Sequence, residues 1–301
     1  MQTEKDLFKS IKEAYSLNPR EEFVASTSLK LKQLAKKKKR KKKINQFSIA
    51  STTIAICLIA IALFFSQAEK DVISNYSTAL QEKNIDASTP FTNEEPVVYI
   101  YQTHNLESFY SASKTNDSKE TFQETQNITL VGERLSQSLK AKGISTSHDK
   151  TNIMGILQEK NLTFKDAYDI SREPLEKALA IHTSIQMVFD IHRDSAKREV
   201  TTVNLDGIDY PKIAFIVSKS NSNFEENYKF ATLLHHKVEE AYPNVSRGVH
   251  IKNKPIGQIT YNQDLFGNAV LLEIGGIENT LEEEYRTVDI FADILQDLLV
   301  K

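Results

Sequence analysis

One cysteine, Cys57, is the chain's whole supply of thiol. A disulfide within the chain is therefore excluded, and so is a zinc knuckle built from thiolates. Net charge is nearly absent too: 38 Lys and Arg stand against 40 Asp and Glu, giving −2. That small sum conceals a split. Residues 1–46 hold 14 basic and 5 acidic side chains, a net of +9, and the remainder carries −11. No internal repeat is evident, and the only low-complexity tract is Lys36–Lys43. An apolar share of 40% with 26% charged residues is an ordinary globular balance, so most of the chain should fold. The 301 residues allow one or two domains plus appendages.

Charge is also missing from Phe47 through Phe65, a run rich in Ile, Ala and Leu. At about 1.5 Å per residue, roughly 20 apolar residues cross a hydrocarbon core, so residues 47–66 read as one transmembrane helix. A cleaved signal peptide fits poorly, because a long segment precedes the run and no small-x-small site follows it. The lysine block abuts the N-terminal side of the span. The positive-inside rule then puts residues 1–46 in the cytoplasm and the rest outside, as a single-pass cell-membrane protein. Residues 1–46 look helical, with Phe8, Ile11 and Tyr15 on one face and a restart at Asn18-Pro19. Beside a span, the lysine block is suited to anionic lipid headgroups, and nucleic acid is not expected as a partner. Residues 67–95 are polar and read as a stalk.

From residue 96 to 301 strands and helices alternate. Strands are expected at 97–102, 186–191, 200–205, 212–218 and 269–274. Helices are expected from Ile128 to the stop at Gly143, over 165–180 and over 223–241. A last helix opens at the Glu-rich residues 280–284 and runs to Leu298, with Tyr285, Val288, Phe291 and Ile294 on one face. Such alternation argues one α/β domain with a mostly parallel sheet flanked by helices. Between the first strand and its helix, residues 111–127 form a long polar loop without glycine, of a length that is more often functional than idle.

Three of the strand-like runs end in residues that carry chemistry: Val97-Val98-Tyr99-Ile100-Tyr101-Gln102-Thr103-His104, Met187-Val188-Phe189-Asp190-Ile191-His192 and Ala269-Val270-Leu271-Leu272-Glu273. In open α/β sheets the loops at such strand ends meet over one crevice. Two imidazoles and a carboxylate on one rim suit a zinc site whose water attacks a carbonyl. The competing reading is that each residue merely ends its strand and faces water. Glu107, three residues after His104, is a candidate third ligand, and Glu124 in the long loop is its rival. His235 and His236 look solvated, and His148, His182 and His250 look like lone surface residues.

The motifs His104-Asn-Leu-Glu-Ser-Phe, Val131-Gly132-Glu133, Asp190-Ile191-His192-Arg193-Asp194, Tyr261-Asn262-Gln263-Asp264-Leu265 and Leu271-Leu272-Glu273-Ile274-Gly275-Gly276 occur in that order. As a set, over about residues 96–298, they resemble the stage II sporulation protein P family, a branch of zinc-dependent N-acetylmuramoyl-L-alanine amidases. One departure is Gln102, where the resemblance leads one to expect a histidine.

The resemblance implies a zinc amidase-like fold and cleavage of peptidoglycan between N-acetylmuramic acid and L-alanine of the stem peptide, with endopeptidase action on stem peptides, in spore engulfment. It implies Zn2+ as cofactor, held by His104, His192 and Glu107 or Glu124. Stage II sporulation proteins D and M are the implied partners. Glu273 would serve as general base and acid. Arg193 has the fork to hold a stem-peptide carboxylate or an oxyanion, unless it pairs with Asp194 or Asp190. Asn262 would bind substrate or serve a turn. Asp190 would support a ligand histidine, or alternate away from the rim. Two other classes are a catalytically weak wall-binding scaffold of the same fold and a zinc peptidase acting on proteins.

Overall fold

The computed structural model of the chain describes Lys9 and residues 95–113, 115, 117, 121–253 and 260–299. The chain divides into two units, Met1–Lys70 and Asp71–Lys301, and every described residue but Lys9 belongs to the second. The basic segment, the expected span at 47–66 and the expected stalk fall outside the described residues, Lys9 and Glu95 aside. No described helix is long and apolar enough to cross a membrane.

β1 (Val98–Tyr101) is buried at all four positions, as its unbroken apolar run demands. One helical turn, α1 (Tyr110–Ser113), then leads to α2 (Ile128–Ala141). The side chain of Asn127 caps α2 by accepting from the Thr129 N–H at 3.0 Å. Ile128, Val131, Leu135 and Leu139 bury one face of α2. Gly143, at φ +78°, ends it as expected. There follow β2 (Thr146–His148), α3 (Ile153–Glu159), a 3-10 turn at Phe164–Asp166, and α4 (Ala167–Ile181). β3 (Met187–Asp194) runs from the core to the rim.

A short turn, α5 (Arg198–Thr201), precedes the hairpin of β4 (Thr202–Leu205) and β5 (Ile208–Pro211). Asp206 and Gly207, both with positive φ, make its two-residue turn. Then come β6 (Ile213–Ser218), α6 (Phe224–Ala241), β7 (Ser246–Lys252), β8 (Ala269–Gly276) and α7 (Leu281–Leu299).

Six strands form one sheet in the order β2-β1-β3-β8-β6-β7. All neighbours are parallel except β6 and β8. The class is therefore mixed α/β with a mostly parallel sheet. Helices α2, α6 and α7 bury one face of the sheet in the main core, around Phe189, Phe215, Phe230 and Phe291. Leu175 of α4 packs on the opposite face against Tyr99, Tyr101, Val188 and Ala269.

The structure departs from the sequence expectations in several places. The run 200–205 opens as the turn α5 and becomes a strand only at Thr202. β2, β7 and α3 are not among the expected elements. β2 is three residues long, and β7 carries polar and glycine residues on an exposed edge, so neither has the apolar run that marks a buried strand. The loop 111–127 contains part of α1, and Phe122 within it bridges Glu107.

Candidate active site

His104 lies in the turn after β1, and His192 lies within β3. Both are buried. Their rings meet edge to face, with centroids 5.3 Å apart. Glu107 Oε2 is 3.3 Å from His192 Nδ1, while Glu124 is exposed on its loop. Of the two candidate third ligands, the fold brings Glu107 to the histidines.

Asp190 does not turn away from the rim. Being two residues before His192 on the same strand, it shares its face. Its Oδ1 is 3.0 Å from His192 Nε2, although the two lack hydrogen-bond alignment. It also accepts from the Thr103 N–H at 2.9 Å and from the Thr103 hydroxyl at 2.7 Å.

These neighbours set the charge states. Burial opposes a charge on His192, but the carboxylates of Asp190 and Glu107 prevail and raise its pKa to about 10. Burial and then the His192 charge lower His104 to about 4. Burial pushes Glu107 up, and its pairing with His192 brings it below the ordinary carboxylate value. Phe164 stacks on the His104 ring at 3.9 Å, and Tyr168 meets its edge at 5.5 Å.

Glu273 of β8 is the register partner of His192 of β3. Adjacent strands are about 4.8 Å apart, and register partners project to the same face, so the carboxyl stands beside the imidazole. Burial, followed by the nearby Asp194 charge, raises the Glu273 pKa. Lys252, His192 and Arg247 pull it the other way.

The other two expected site residues are engaged in holding the fold. Arg193 is buried, donates from Nε to the Ser108 carbonyl at 2.7 Å, and reaches the Thr121 carbonyl at 3.4 Å. It ties the Ser108 turn to Thr121 of the long loop. Asn262, also buried and at φ +56°, donates to the Tyr168 carbonyl at 3.2 Å and the Ser171 hydroxyl at 3.0 Å. Of its two readings, the turn is the one its bonds support. Sequence reasoning missed Phe164, Tyr168 and Arg247, whose closeness to the site comes only from chain crossings, and the role of Thr103, which lies next to His104 in sequence but shows its bonds to Asp190 only in the fold. His148 is half-buried and bonds to Gln102 at 3.0 Å, so it is not a lone surface residue.

Two imidazoles and a carboxylate are donors that zinc accepts. His104 Nδ1 and His192 Nε2 are both buried without a hydrogen-bond partner among the described residues. Such nitrogens are unfavourable unless another group completes them, and at His192 Nε2 the Asp190 carboxylate 3.0 Å away already does so in part. Among the described residues no three His, Cys, Asp or Glu side chains stand converged as a metal cage. The fit is thus one of donor chemistry and unsatisfied nitrogens.

A family model described as Stage II sporulation protein P matches residues 9–296. The chain belongs to the stage II sporulation protein P family. Stage II sporulation protein P of Bacillus subtilis (strain 168) is 38% identical over 227 residues, covering 75% of this chain and 57% of that protein. The match thus spans little more than half of that relative. Among solved structures, the chain is similar to the CwlD amidase from Clostridioides difficile, solved in complex with the GerS lipoprotein. That likeness has 10% identity and a TM-score of 0.38, over 67% of this chain and 94% of that one. It is also similar to the N-acetylmuramyl-L-alanine amidase Ami1 from Mycobacterium smegmatis, with 13% identity and a TM-score of 0.39, over 68% and 96% of the two chains. Gln102 stands where the resemblance led one to expect a histidine. Its carboxamide fills the space above Gly132, where an added Cβ would lie 2.1 Å from Gln102 Nε2.

Proposed function

We propose that this chain is a membrane-anchored, zinc-dependent peptidoglycan hydrolase that cuts the amide between N-acetylmuramic acid and L-alanine of the stem peptide. Endopeptidase action on stem peptides, a role in spore engulfment, and partnership with stage II sporulation proteins D and M belong to the same reading. The observation that carries it is Glu273 standing beside His192, with His104 and Glu107 gathered at the same rim. Family membership supports it.

His104, His192 and Glu107 would hold the zinc. When bound, it supplies Lewis acidity toward the scissile carbonyl and acidifies a water. Glu273 takes a proton from the attacking water as its oxygen bonds to the carbonyl carbon. The C–N bond then breaks, and the same carboxyl returns the proton to the leaving L-alanine nitrogen. The raised pKa of Glu273 suits both transfers, because a base and acid poised nearer neutrality exchanges protons more readily. Asp190 and Thr103 hold the His192 ring and the His104 turn in place. Phe164 shields one face of His104 from water.

The test is digestion of purified peptidoglycan by the full-length protein, with mass spectrometry of the soluble products. Stem peptides bearing a free L-alanine amine are expected. Release of disaccharide units alone would reject the amidase reading. Cleavage of casein without cleavage of wall would favour a peptidase.

A further inference from the structure

Phe109, Phe189, Phe215, Phe230 and Phe291 are fully buried, the ordinary fate of the side chain. Two phenylalanines among the described residues stand exposed instead, Phe122 at 36% and Phe164 at 47%, and both stand at the candidate site. The backbone places Phe122. The Gln123 N–H donates to the Leu106 carbonyl at 2.9 Å and the Ser108 N–H to the Thr121 carbonyl at 3.1 Å, so Glu107 and Phe122 oppose each other as an antiparallel pair. Opposed residues project to one side, and a pair not itself hydrogen-bonded brings its side chains closest. The Phe122 ring therefore stands on the side where Glu107 sends its carboxyl to His192.

Phe164 arrives from the 3-10 turn before α4 and lies flat on His104, with centroids 3.9 Å apart and planes 4° from parallel. The two phenyl rings meet edge to face at 6.4 Å. Each ring is backed by a buried group: His104 lies behind Phe164, and the Arg193 guanidinium lies over Phe122 at 6.0 Å. Apolar side chains scattered singly on a surface need no explanation. Two rings paired in water against His104 and Glu107 form a fixed apolar rim on that side of the site.

The reaction proposed above decides which part of the substrate meets this rim. Glu273 stands on β8, on the side of β3 away from β1, and returns its proton to the leaving L-alanine nitrogen. The peptide therefore lies toward β8, and the acyl portion, a lactyl group carried on a pyranose ring, lies toward His104 and Glu107. Charge agrees with that direction. The face of a phenyl ring is negative, so it repels the carboxylates of a stem peptide and attracts the C–H face of a sugar.

We propose that Phe122 and Phe164 form a saccharide platform, against which the pyranose ring of N-acetylmuramic acid packs. This rests on the peptidoglycan reading above. Both rings are binding residues and take no part in proton transfer.

The chain contains no tryptophan, so Phe122→Trp places a single indole fluorophore on the platform and keeps a stacking face. Two ligands are compared: N-acetylmuramoyl-L-alanyl-D-isoglutamine, and the same dipeptide carrying a D-lactoyl group in place of the muramoyl group, so that only the sugar is missing. Full-length protein carrying Phe122→Trp and Glu273→Gln, the second to stop turnover, is titrated with each. The muramoyl ligand should shift the emission and bind roughly 3- to 10-fold more tightly than the lactoyl ligand, the scale of one ring-stacking contact. With Glu273 intact, Phe122→Ala should raise KM for the muramoyl ligand by roughly 3- to 10-fold while kcat and the zinc content fall by less than about twofold. The lactoyl ligand should lose much less. Equal affinity for the two ligands, or an equal loss on both in Phe122→Ala, would overturn the platform. So would a change of oligomeric state in Phe122→Ala with the sugar preference intact, which would give the rim to a second copy of the chain. A sugar preference in binding that Phe122→Ala abolishes, with no amide cleaved by wild type, would reject the amidase reading and keep the platform.

Discussion

Asp190 accepts two hydrogen bonds from Thr103, one from its N–H and one from its hydroxyl, and so ties the turn carrying His104 to the strand carrying His192. The two histidines lie 88 positions apart in the chain, and this pair of bonds continues past the β1–β3 ladder to hold them in one place. On the reading proposed above Asp190 supports the site and is not one of its ligands, and that distinction can be measured.

His104→Ala or His192→Ala is expected to remove most of the zinc from the purified protein, since each deletes one of the three proposed ligands. Glu107→Ala should do the same and Glu124→Ala should not. Asp190→Ala should weaken zinc affinity by roughly 10–100-fold while leaving a measurable site, the usual size of a supporting-residue effect. Metal analysis with a competing chelator reads all five proteins. Full occupancy in His192→Ala would rule out the proposed ligands.

Glu273→Gln should keep the fold and the metal and lose turnover. Glutamine fills the same volume and cannot accept the proton. Loss of a positioned general base is worth roughly 10²–10⁴-fold in rate. Product release from labelled peptidoglycan measures this. A rate near that of wild type would move the base elsewhere, with Glu107, 3.3 Å from His192, the next candidate.

Glu284, at the start of α7, is fully buried, and neither carboxyl oxygen has a hydrogen-bond partner among the described residues. Burial, then the adjacent Glu283 charge, raises its pKa well above the ordinary 4.5. A carboxyl whose folded pKa is raised stabilises the fold fully below the unfolded value and loses that contribution as pH rises toward the folded value. As pH rises from 4.5 toward the folded value, wild type should therefore lose stability relative to Glu284→Gln, with a limiting slope of about 1.4 kcal/mol per pH unit. Urea unfolding of both proteins at pH 4 and pH 7 checks this. A difference that stays constant with pH would mean Glu284 ionises freely in the fold.

Protease added to intact protoplasts should remove the C-terminal domain and spare an N-terminal tag. On the membrane-anchored reading proposed above, the lysine block beside residues 47–66 resists translocation and sets the side of the membrane. A protected C-terminal tag would reverse the topology.

Much of the framework was legible in local pattern. Unbroken apolar runs such as Val97–Tyr101 and Met187–Phe189 have no polar side to show water, and their shortness and β-branched content mark them as interior strands. Ile128, Val131, Leu135 and Leu139 recur at helical spacing, and Gly143 stops that helix because glycine alone takes its positive φ without strain. Strand ends in an α/β sheet gather function, and this by itself points to His104, His192 and Glu273.

What the tertiary structure decided is how distant segments meet. The antiparallel insertion of β6 beside β8, and the placement of the short β2 and the polar edge strand β7, depend on pairing partners far along the chain. Side-chain direction was decided in the same way. Arg193 reads as a substrate fork in sequence, but its alternation sends it to the Ser108 and Thr121 carbonyls, while a bulge in β7 carries Arg247 across to Asp194. A residue's type sets which bonds it can make, and that is local. Which partner lies within hydrogen-bonding reach is set by strand order and register, which the packing of the whole core determines.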